Sequence, residues 1–289
     1  MGAFKGALMK ILVTGGSGQL GLALQRQSSD HHLIAFDRTA LDITDAVQVA
    51  KVFMREQPDA VINCAAWTNV DACEGDPEKA MLINGATVAV LATGARTVGA
   101  QLVQISTDYV FDGTKQAPYV ETDRPNPVSA YGKSKLLGEE SAGPDALIVR
   151  TSWVVGPDGH NMLKTILRLL QGPDDLYFVD DQVGCPTFTD DLALTIITLL
   201  ERKAQGIFHV TNADAVSWFR FAQEIAQEIG ADPKTVKPTT SADLDPPRAA
   251  PRPMNSHLDN AALRDFGVEA LSSHQVALQR VLALTANKI

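Results

Sequence analysis

The stretch Lys10-Ile11-Leu12-Val13-Thr14-Gly15-Gly16-Ser17-Gly18-Gln19-Leu20-Gly21 decides the fold of this chain. Its first five residues are mostly apolar and partly β-branched, which is typical of a buried parallel strand. The strand runs directly into a G-x-x-G-x-x-G turn, and a helical stretch through Leu22, Leu24 and Gln25 follows. Glycines in such a turn permit a tight strand-to-helix connection, close packing of the helix on the strand, and close approach of the backbone to a pyrophosphate.

A second strand at residues 33–36 ends in Asp37, nineteen residues after Gly18. A dinucleotide-binding unit places its ribose-binding acid at roughly this distance from the turn. The helix N-terminus that follows the turn offers unpaired N–H groups and a positive dipole end to a phosphate. A plain turn without a ligand is the alternative interpretation, but turn, spacing and acid together favour a dinucleotide site.

Strands and helices continue to alternate through the first half of the chain. The pattern predicts a strand at residues 60–66 that ends in small residues, and residues 77–100 have helical periodicity. A strand at 101–105 delivers Ser106 and Thr107, and another follows at 146–150. This alternation predicts an α/β fold with a doubly wound parallel (Rossmann) sheet, whose ligands bind at the carboxyl ends of the strands.

The pattern loosens beyond Thr151. We predict an NAD(P)-binding Rossmann domain at residues 9–153 and a smaller, partly interleaved substrate-binding lobe at 154–289, with some elements returning to the Rossmann domain. Six prolines between Asp232 and Pro253 predict an irregular loop there.

Composition limits the function classes. The chain has 289 residues, 45% of them hydrophobic and 20% charged, which is ordinary for a globular protein. Its net charge of −9 argues against general binding to nucleic acid or an anionic membrane, so an anionic substrate needs a local cluster of Lys and Arg. Three cysteines without metal spacing predict a reducing, cytoplasmic location.

No membrane association is expected either. No apolar run is expected to approach membrane-spanning length. The longest run in the second half of the chain, at residues 192–200, fits a buried helix. Residues 1–8 suggest an extension or an early start codon, not a signal peptide.

The chemistry is indicated by Tyr131-Gly132-Lys133-Ser134-Lys135 together with the upstream Ser106-Thr107. A tyrosine and a lysine four residues apart lie on one side of a helix, so the ammonium can favour the phenolate form of the tyrosine. Hydroxyls at the strand end can hold the oxygen that the tyrosine protonates. Together with a bound hydride donor, these are the groups needed to reduce a carbonyl, although Tyr-x-x-x-Lys alone also occurs by chance in many helices.

Longer segments carry a family resemblance. The chain resembles the extended short-chain dehydrogenases/reductases and, more closely, the family of dTDP-4-dehydrorhamnose reductases. The similarity runs through nearly the whole chain, and its most specific segments are Arg150-Thr151-Ser152-Trp153 and Asp181-Gln182-Val183-Gly184-Cys185-Pro186-Thr187. It ends in Arg252-Pro253-Met254-Asn255-Ser256.

The resemblance implies reduction of the C4 ketone of dTDP-4-dehydro-β-L-rhamnose to dTDP-L-rhamnose with NADPH or NADH. It implies that Thr107, Tyr131 and Lys135 are catalytic and that Thr107, Asp108 and Trp153 touch substrate. The implied cofactor-binding residues, beside Tyr131 and Lys135, are Gly15, Ser17, Gly18, Gln19, Leu20, Asp37, Arg38, Asp42, Ile43, Ala65, Ala66, Trp67 and Thr68.

Other features are less specific. Arg252 is the first candidate for the substrate's diphosphate and Arg248 the second, although a Pro-rich loop usually carries solvated arginines. A homodimer stays open, because some relatives have Mg²⁺ at a dimer contact, but the sequence does not give the oligomeric state and no residue spacing here supports a metal site.

Two further function classes stay open at this point. The first is an epimerase or dehydratase acting on another sugar nucleotide. The Asp-Glu pair that commonly follows the Ser/Thr position in dehydratases is replaced by Asp108-Tyr109, which disfavours it. The second is a non-catalytic module similar to the regulatory β subunit of methionine adenosyltransferase, which retention of all three catalytic residues disfavours.

Overall fold

The computed structural model describes residues 8–28 and 30–286, with the side chains of 285 and 286 excepted. The leader interpretation above therefore falls almost entirely outside the described residues. The strands are β1 (Lys10–Thr14), β2 (His32–Phe36), β3 (Ala60–Asn63), β4 (Gln101–Thr107), β5 (Leu147–Thr151), β6 (Val154–Val155), β7 (Leu176–Val179), β8 (Val183–Gly184), β9 (Thr187–Phe188), β10 (Gly206–His209), β11 (Val216–Ser217) and β12 (Val236–Thr239).

The helices are α1 (Gln19–Gln27), α2 (Ala46–Glu56), α3 (Val70–Gly75), α4 (Pro77–Ala80), α5 (Thr87–Val98), α6 (Ala130–Ala142), α7 (Met162–Leu169), α8 (Thr189–Glu201), α9 (Trp218–Glu228), α10 (Ala261–Asp265) and α11 (His274–Ala286). A π-helical segment at Met81–Ala86 joins α4 to α5, and short 3-10 turns lie at Asp108–Val110, Pro233–Thr235 and Ser241–Asp243.

Six strands form a parallel sheet in the order β10-β5-β4-β3-β1-β2. Alternate residues of β1 face opposite sides, as strand geometry requires. Ile11 and Val13 pack with α1 and α8 on one face, whereas Leu12 packs with α2 and α5 on the other. Helices therefore cover both faces, and the predicted doubly wound parallel sheet is confirmed.

The second half of the chain contributes to both parts of the molecule. β10 adds the sixth strand to the central sheet beside β5, with Phe208 opposite Val149. The β6–β9, β7–β12 and β8–β11 pairs lie apart from it, and α7, α9 and α11 surround a separate apolar core. The domain boundary at 153/154 stays a prediction.

The prediction of an irregular loop at 232–253 was partly wrong, because β12 lies within it and contains Pro238. β12 pairs only with β7, and an edge strand tolerates a proline whose missing N–H faces away from its partner. The rest of the segment consists of turns and extended chain.

The expectation about apolar runs also needs correction. The continuous helix Pro77–Val98 is long and apolar enough to cross a membrane by length and composition, with 39% of its most apolar window buried. Within the fold this helix packs closely on α6: a Cβ at Gly85 would lie 2.5 Å from Leu137, and one at Gly138 would lie 2.3 Å from the Asn84 carbonyl oxygen. Core helices meet the same criteria, so this helix is weak evidence for a membrane span.

Candidate active site

The glycine turn after β1 forms a backbone cradle. Gly15 has φ +66°, and a Cβ there would lie 2.8 Å from the backbone nitrogen of Ala65. A Cβ at Gly21 would lie 2.5 Å from the Gly15 carbonyl oxygen, so both positions require glycine. Gly18 caps α1 without a side-chain hydrogen bond, which leaves first-turn N–H groups of the helix facing open space. These features fit a cofactor pyrophosphate.

Beside the turn lies a cavity of about 360 Å³, here called the turn cavity. Its lining includes Gly15, Ser17, Gly18, Arg38, Asp42, Ile43, Ala65, Ala66 and Trp67, all predicted from the sequence. Asp37 lies outside this lining. Its Oδ1 accepts hydrogen bonds from the Thr39 nitrogen and hydroxyl at 2.9 and 2.7 Å and from the Ala40 nitrogen at 2.9 Å, so the carboxylate stabilises the turn after β2.

Lys79 also lines the turn cavity, and sequence reasoning missed it. Its ammonium lies 4.5 Å from the centroid of the Trp67 ring, a cation–π contact. Nothing in the sequence distinguishes this lysine from any other charge on an exposed helix, because the contact depends on the path of the chain between β3 and α4.

A second cavity of about 610 Å³, here called the tyrosine cavity, begins at Ser17 and Gly18 and extends across the carboxyl ends of β4 and β5. Its lining includes Gln19, Leu20, Thr68, Thr107, Asp108, Tyr131, Lys135 and Trp153. The structure thus brings together the predicted catalytic trio, the predicted pyrophosphate turn and two predicted substrate contacts. Of the residues predicted for the site, Asp37, Arg252 and the second diphosphate candidate Arg248 alone line neither cavity within the described part of the chain.

The trio lies where β4 packs on α6. The Thr107 side chain lies near the Tyr131 hydroxyl and favours its ionised form, and the Thr107 hydroxyl donates to Asp108 Oδ1 at 2.9 Å. Lys135 Nζ donates to the Ile105 carbonyl oxygen at 2.6 Å. Ser129 caps α6 by accepting from the Gly132 nitrogen, which fixes where the helix begins.

Burial dominates the electrostatics of these groups. It raises the pKa of the Tyr131 hydroxyl above its ordinary value, with a further contribution from Asp108. It lowers the pKa of Lys135 to about 8. Burial thus favours the neutral phenol of Tyr131, which can donate a proton, and the expectation that Lys135 favours the phenolate stays a prediction.

Asn84 was missed by sequence reasoning and lies in the π-helical segment. Its Oδ1 accepts from the Trp67 nitrogen at 2.7 Å, and its Nδ2 donates to the Trp67 carbonyl and the Ser134 hydroxyl, both at 3.0 Å. The amide therefore links the chain after β3 to the helix that carries Tyr131. π-helical turns often mark functional positions, but the sequence Met81–Ala86 contains no signal for one.

Trp153 has the predicted place beside a strand end. It adopts the left-handed region, with φ 44°, and its ring stacks on Trp218 at 3.7 Å between centroids. Trp218, the first residue of α9, lines the tyrosine cavity as well. No motif predicted Trp218, because its position depends on how the second lobe folds back onto β5.

Arg252 is paired with an acid of the first domain. Its Nη1 and Nη2 donate to Asp71 Oδ1 and Oδ2 at 3.0 and 2.7 Å, and Nη1 also donates to the Ala250 carbonyl. This guanidinium lowers the pKa of Asp71 to about 2. The negative form of Tyr109, which lines the tyrosine cavity, is among the influences that raise the pKa of Arg252, so the two side chains are close.

The cysteines are free thiols, and burial raises the pKa of Cys64 to about 12 and of Cys185 to about 11. Such thiols are inert at neutral pH. Across residues 8–28 and 30–286, no group of three or more His, Cys, Asp or Glu side chains is placed to hold a metal ion.

Asp108 provides a pH-dependent prediction for stability. Burial raises its pKa from 3.8 to about 6, and its Oδ2 has no hydrogen-bond partner among the described residues. The pKa of Asp108 is thus about 6 in the folded chain and 3.8 in the unfolded chain. Its ionisation destabilises the fold increasingly as pH rises between about 4 and 6, and it has no effect on stability below both values. We expect Asp108→Asn to raise the free energy of unfolding at pH 7.5 by roughly 2–3 kcal/mol, at about 1.4 kcal/mol per pKa unit.

The measurement is urea unfolding of both proteins at pH 4 and pH 7.5. Asp108→Asn should raise the free energy of unfolding at pH 7.5 and leave it unchanged at pH 4. An equal change at both values would mean that the amide acts through packing and not through the lost charge.

Comparisons with known proteins agree with this geometry. Residues 9–287 match the family model of the RmlD substrate binding domain. The chain belongs to this family. It is 40% identical over 280 residues to a dTDP-4-dehydrorhamnose reductase of Burkholderia thailandensis, covering 90% of this chain and 94% of the relative. It is also 42% identical over 266 residues to the spore coat polysaccharide biosynthesis protein SpsK of Bacillus subtilis, covering 90% and 93%.

A crystal structure of dTDP-4-dehydrorhamnose reductase from Bacillus anthracis in complex with NADP superposes with a TM-score of 0.91. The two chains are 35% identical, and the match covers 96% of this chain and 99% of that one. The predicted resemblance to the dTDP-4-dehydrorhamnose reductase family is confirmed.

Proposed function

We propose that this protein is an NAD(P)H-dependent oxidoreductase that reduces the C4 ketone of dTDP-4-dehydro-β-L-rhamnose to dTDP-L-rhamnose, the last step of dTDP-L-rhamnose synthesis. The observation that carries the proposal is the convergence of Thr107, Tyr131 and Lys135 in one cavity with the glycine turn. The family relationship supports the same chemistry, since relatives at about this similarity are dTDP-4-dehydrorhamnose reductases.

The residues of the two cavities have distinct tasks. The glycine turn and the N-terminus of α1 hold the cofactor pyrophosphate, and Arg38, Asp42 and Ile43 surround its adenosine end. Lys135 binds the nicotinamide ribose. When bound, the reduced nicotinamide supplies the hydride that forms the new C–H bond at C4.

Tyr131 completes the reaction as a general acid. As the C4 carbonyl becomes an alkoxide, the Tyr131 hydroxyl gives it a proton, while Thr107 orients the oxygen. The raised pKa of Tyr131 keeps the proton in place until the alkoxide, a stronger base, develops. Asp108 and Trp153 line the same cavity and contact the sugar.

The test is consumption of NADPH or NADH with the enzymatically prepared 4-keto-L-sugar nucleotide, followed by identification of the product. Its C3,C5 epimer, the 4-keto-6-deoxy-D-glucose nucleotide, serves as the comparison substrate. Turnover of the L-sugar supports the proposal. Binding of the sugar nucleotide without cofactor oxidation would point to the non-catalytic alternative, and conversion without net cofactor oxidation would point to an epimerase.

The proposal includes a cytoplasmic setting, in keeping with the three free cysteines. The homodimer implied by the family resemblance stays a prediction, which sedimentation velocity would test.

Cofactor preference follows from the turn cavity. Arg38 lines it and can pair with a 2′-phosphate, whereas Asp37 points its carboxylate into the turn after β2. We therefore expect use of both cofactors with a modest preference for NADPH. Arg38→Ala should raise KM for NADPH by roughly tenfold, the scale of one charge-assisted hydrogen bond, and should change KM for NADH little.

The measurement is the ratio of kcat/KM for the two cofactors in both proteins. Arg55→Ala, at an exposed position of α2, provides a control for the loss of one positive charge. If Arg38→Ala weakens NADH use and leaves NADPH use intact, the assignment of Arg38 is wrong.

A further inference from the structure

Three buried residues, Tyr131, Lys135 and Glu139, recur at intervals of four along α6 and form one face of that helix. Each faces a different residue at the carboxyl end of β4. Lys135 donates to the Ile105 carbonyl oxygen, Glu139 accepts from the Ser106 hydroxyl, and the Tyr131 hydroxyl lies near the Thr107 side chain, which favours its ionised form. Two consecutive residues of the strand are thus hydrogen-bonded to two consecutive turns of the helix, and Thr107, the next residue of the strand, faces Tyr131 on the turn before them.

Glu139 is itself held from the neighbouring strand. Ser106 lies opposite Arg150 in the β4–β5 pairing, and Arg150 donates to the two oxygens of Glu139 at 2.8 Å from Nε and 2.7 Å from Nη2. The side chains of this ion pair are 1% and 4% exposed. Arg150 Nη1 is buried and has no partner within the described residues, so Glu139 provides most of its compensation.

A buried ion pair is costly to desolvate and is therefore weak evidence for stability alone. Its position here points to a different use. We propose, on the basis of the reductase function above, that Glu139 is a positioning residue for the reduction: it fixes the end of β4 against α6, so that Thr107 meets Tyr131, and its negative charge keeps Lys135 in the ammonium form.

The charges around Lys135 support the second part. Burial lowers the pKa of Lys135 to about 8, and Glu139 is the largest influence that opposes this decrease. Cys64, after β3, would also raise the pKa of Lys135, but only as a thiolate. Because burial raises the pKa of Cys64 to about 12, it is a neutral thiol where Lys135 loses its proton.

Other titratable groups packed against α6 face elsewhere. Asp108, Tyr109 and Cys73 face Tyr131, and Arg150 faces Glu139. The helix Pro77–Val98 carries titratable side chains only at exposed positions, namely Glu78, Lys79 and Arg96.

Two substitutions break the same ion pair and remove opposite charges. Glu139→Gln removes the negative charge near Lys135 and leaves Arg150 uncompensated, so Lys135 should lose its proton more easily. The alkaline limb of the pH profile of kcat/KM, which reports this proton, should move by about one pH unit to lower pH. Arg150→Met leaves Glu139 uncompensated, and the same limb should move to higher pH. Glu140→Gln removes the same charge from the next, exposed position of α6 and should leave the profile unchanged.

Shifts of the alkaline limb in opposite directions distinguish positioning from packing. If Glu139 had only a structural role, both variants should lower activity and stability to a similar degree, and the limb should not move in opposite directions. The pH dependence of NADPH binding, followed by fluorescence, should shift in the same two directions. That readout needs no sugar substrate, so failure of the proposed reaction would be seen separately as absent turnover in the unaltered protein. Unshifted limbs, or shifts in one direction for both variants, would overturn the proposal.

Ser106→Ala tests the geometric part and leaves the ion pair intact. We expect kcat to decrease roughly tenfold, since small displacements of catalytic groups are expensive, while the NADPH dissociation constant stays unchanged. If Glu139→Gln and Arg150→Met do not yield folded protein, Ser106→Ala alone tests the positioning role of Glu139. Unchanged kcat in Ser106→Ala would then overturn the role assigned to Glu139.

Discussion

Tyr131→Phe is expected to lower kcat by about 10²-fold or more, the scale of general acid catalysis. The substitution keeps the buried ring, which packs edge-on against Tyr109 with centroids 5.8 Å apart, and removes only the hydroxyl that donates to the substrate oxygen. Thr107 keeps its hydrogen bond to Asp108 Oδ1. Stopped-flow measurement of NADPH oxidation at saturating substrate gives the affected rate directly.

NADPH affinity should be nearly unchanged in this variant, because the cradle at Gly15–Gly21 and the contacts of Lys135 remain. Tyr119→Phe is the matched control: it removes a buried tyrosine hydroxyl, bonded to Asp112 at 2.9 Å, outside both cavities. It should retain kcat. Near-normal turnover in Tyr131→Phe would exclude Tyr131 as the acid.

The sequence predicted the central sheet well because each of its strands can be recognised from its own few residues. The apolar run at 10–14 and the glycine turn are contiguous, and β1 has the predicted bounds. β2, β4 and β5 also lie within two residues of the predicted positions. A buried parallel strand is recognisable from its own few residues, and the carboxyl-end rule then places the ligands.

Contacts between distant segments could not be predicted in the same way. Arg252 and Asp71 are 181 residues apart in the chain, and Asn84 meets Ser134 across 50 residues. No local periodicity encodes either contact. The same reason explains why Lys79 and Trp218 were missed and why Asp37, chosen by spacing, points its carboxylate into a turn.

Arg252→Ala is expected to raise KM for the dTDP-sugar by roughly 10- to 150-fold, corresponding to about 1.5–3 kcal/mol for a lost charge-assisted contact. The substrate brings a diphosphate to a chain of net charge −9, so a local cation must hold it. The Arg252 side chain is 11% exposed and lies near Tyr109, which lines the tyrosine cavity. Arg248 lies 3.8 Å from Asp71 and is 52% exposed, so Arg248→Ala should change KM little and serves as the control.

The pair with Asp71 makes the mechanism of that effect testable. If Arg252 contacts the diphosphate directly, Asp71→Asn frees its guanidinium and KM should stay equal or decrease. If Arg252 acts by holding the loop and Tyr109 in place, Asp71→Asn should raise KM as Arg252→Ala does. NADPH binding should stay within about twofold in each variant if the two sites are separate. An unchanged KM in Arg252→Ala would mean that the diphosphate is held by other residues.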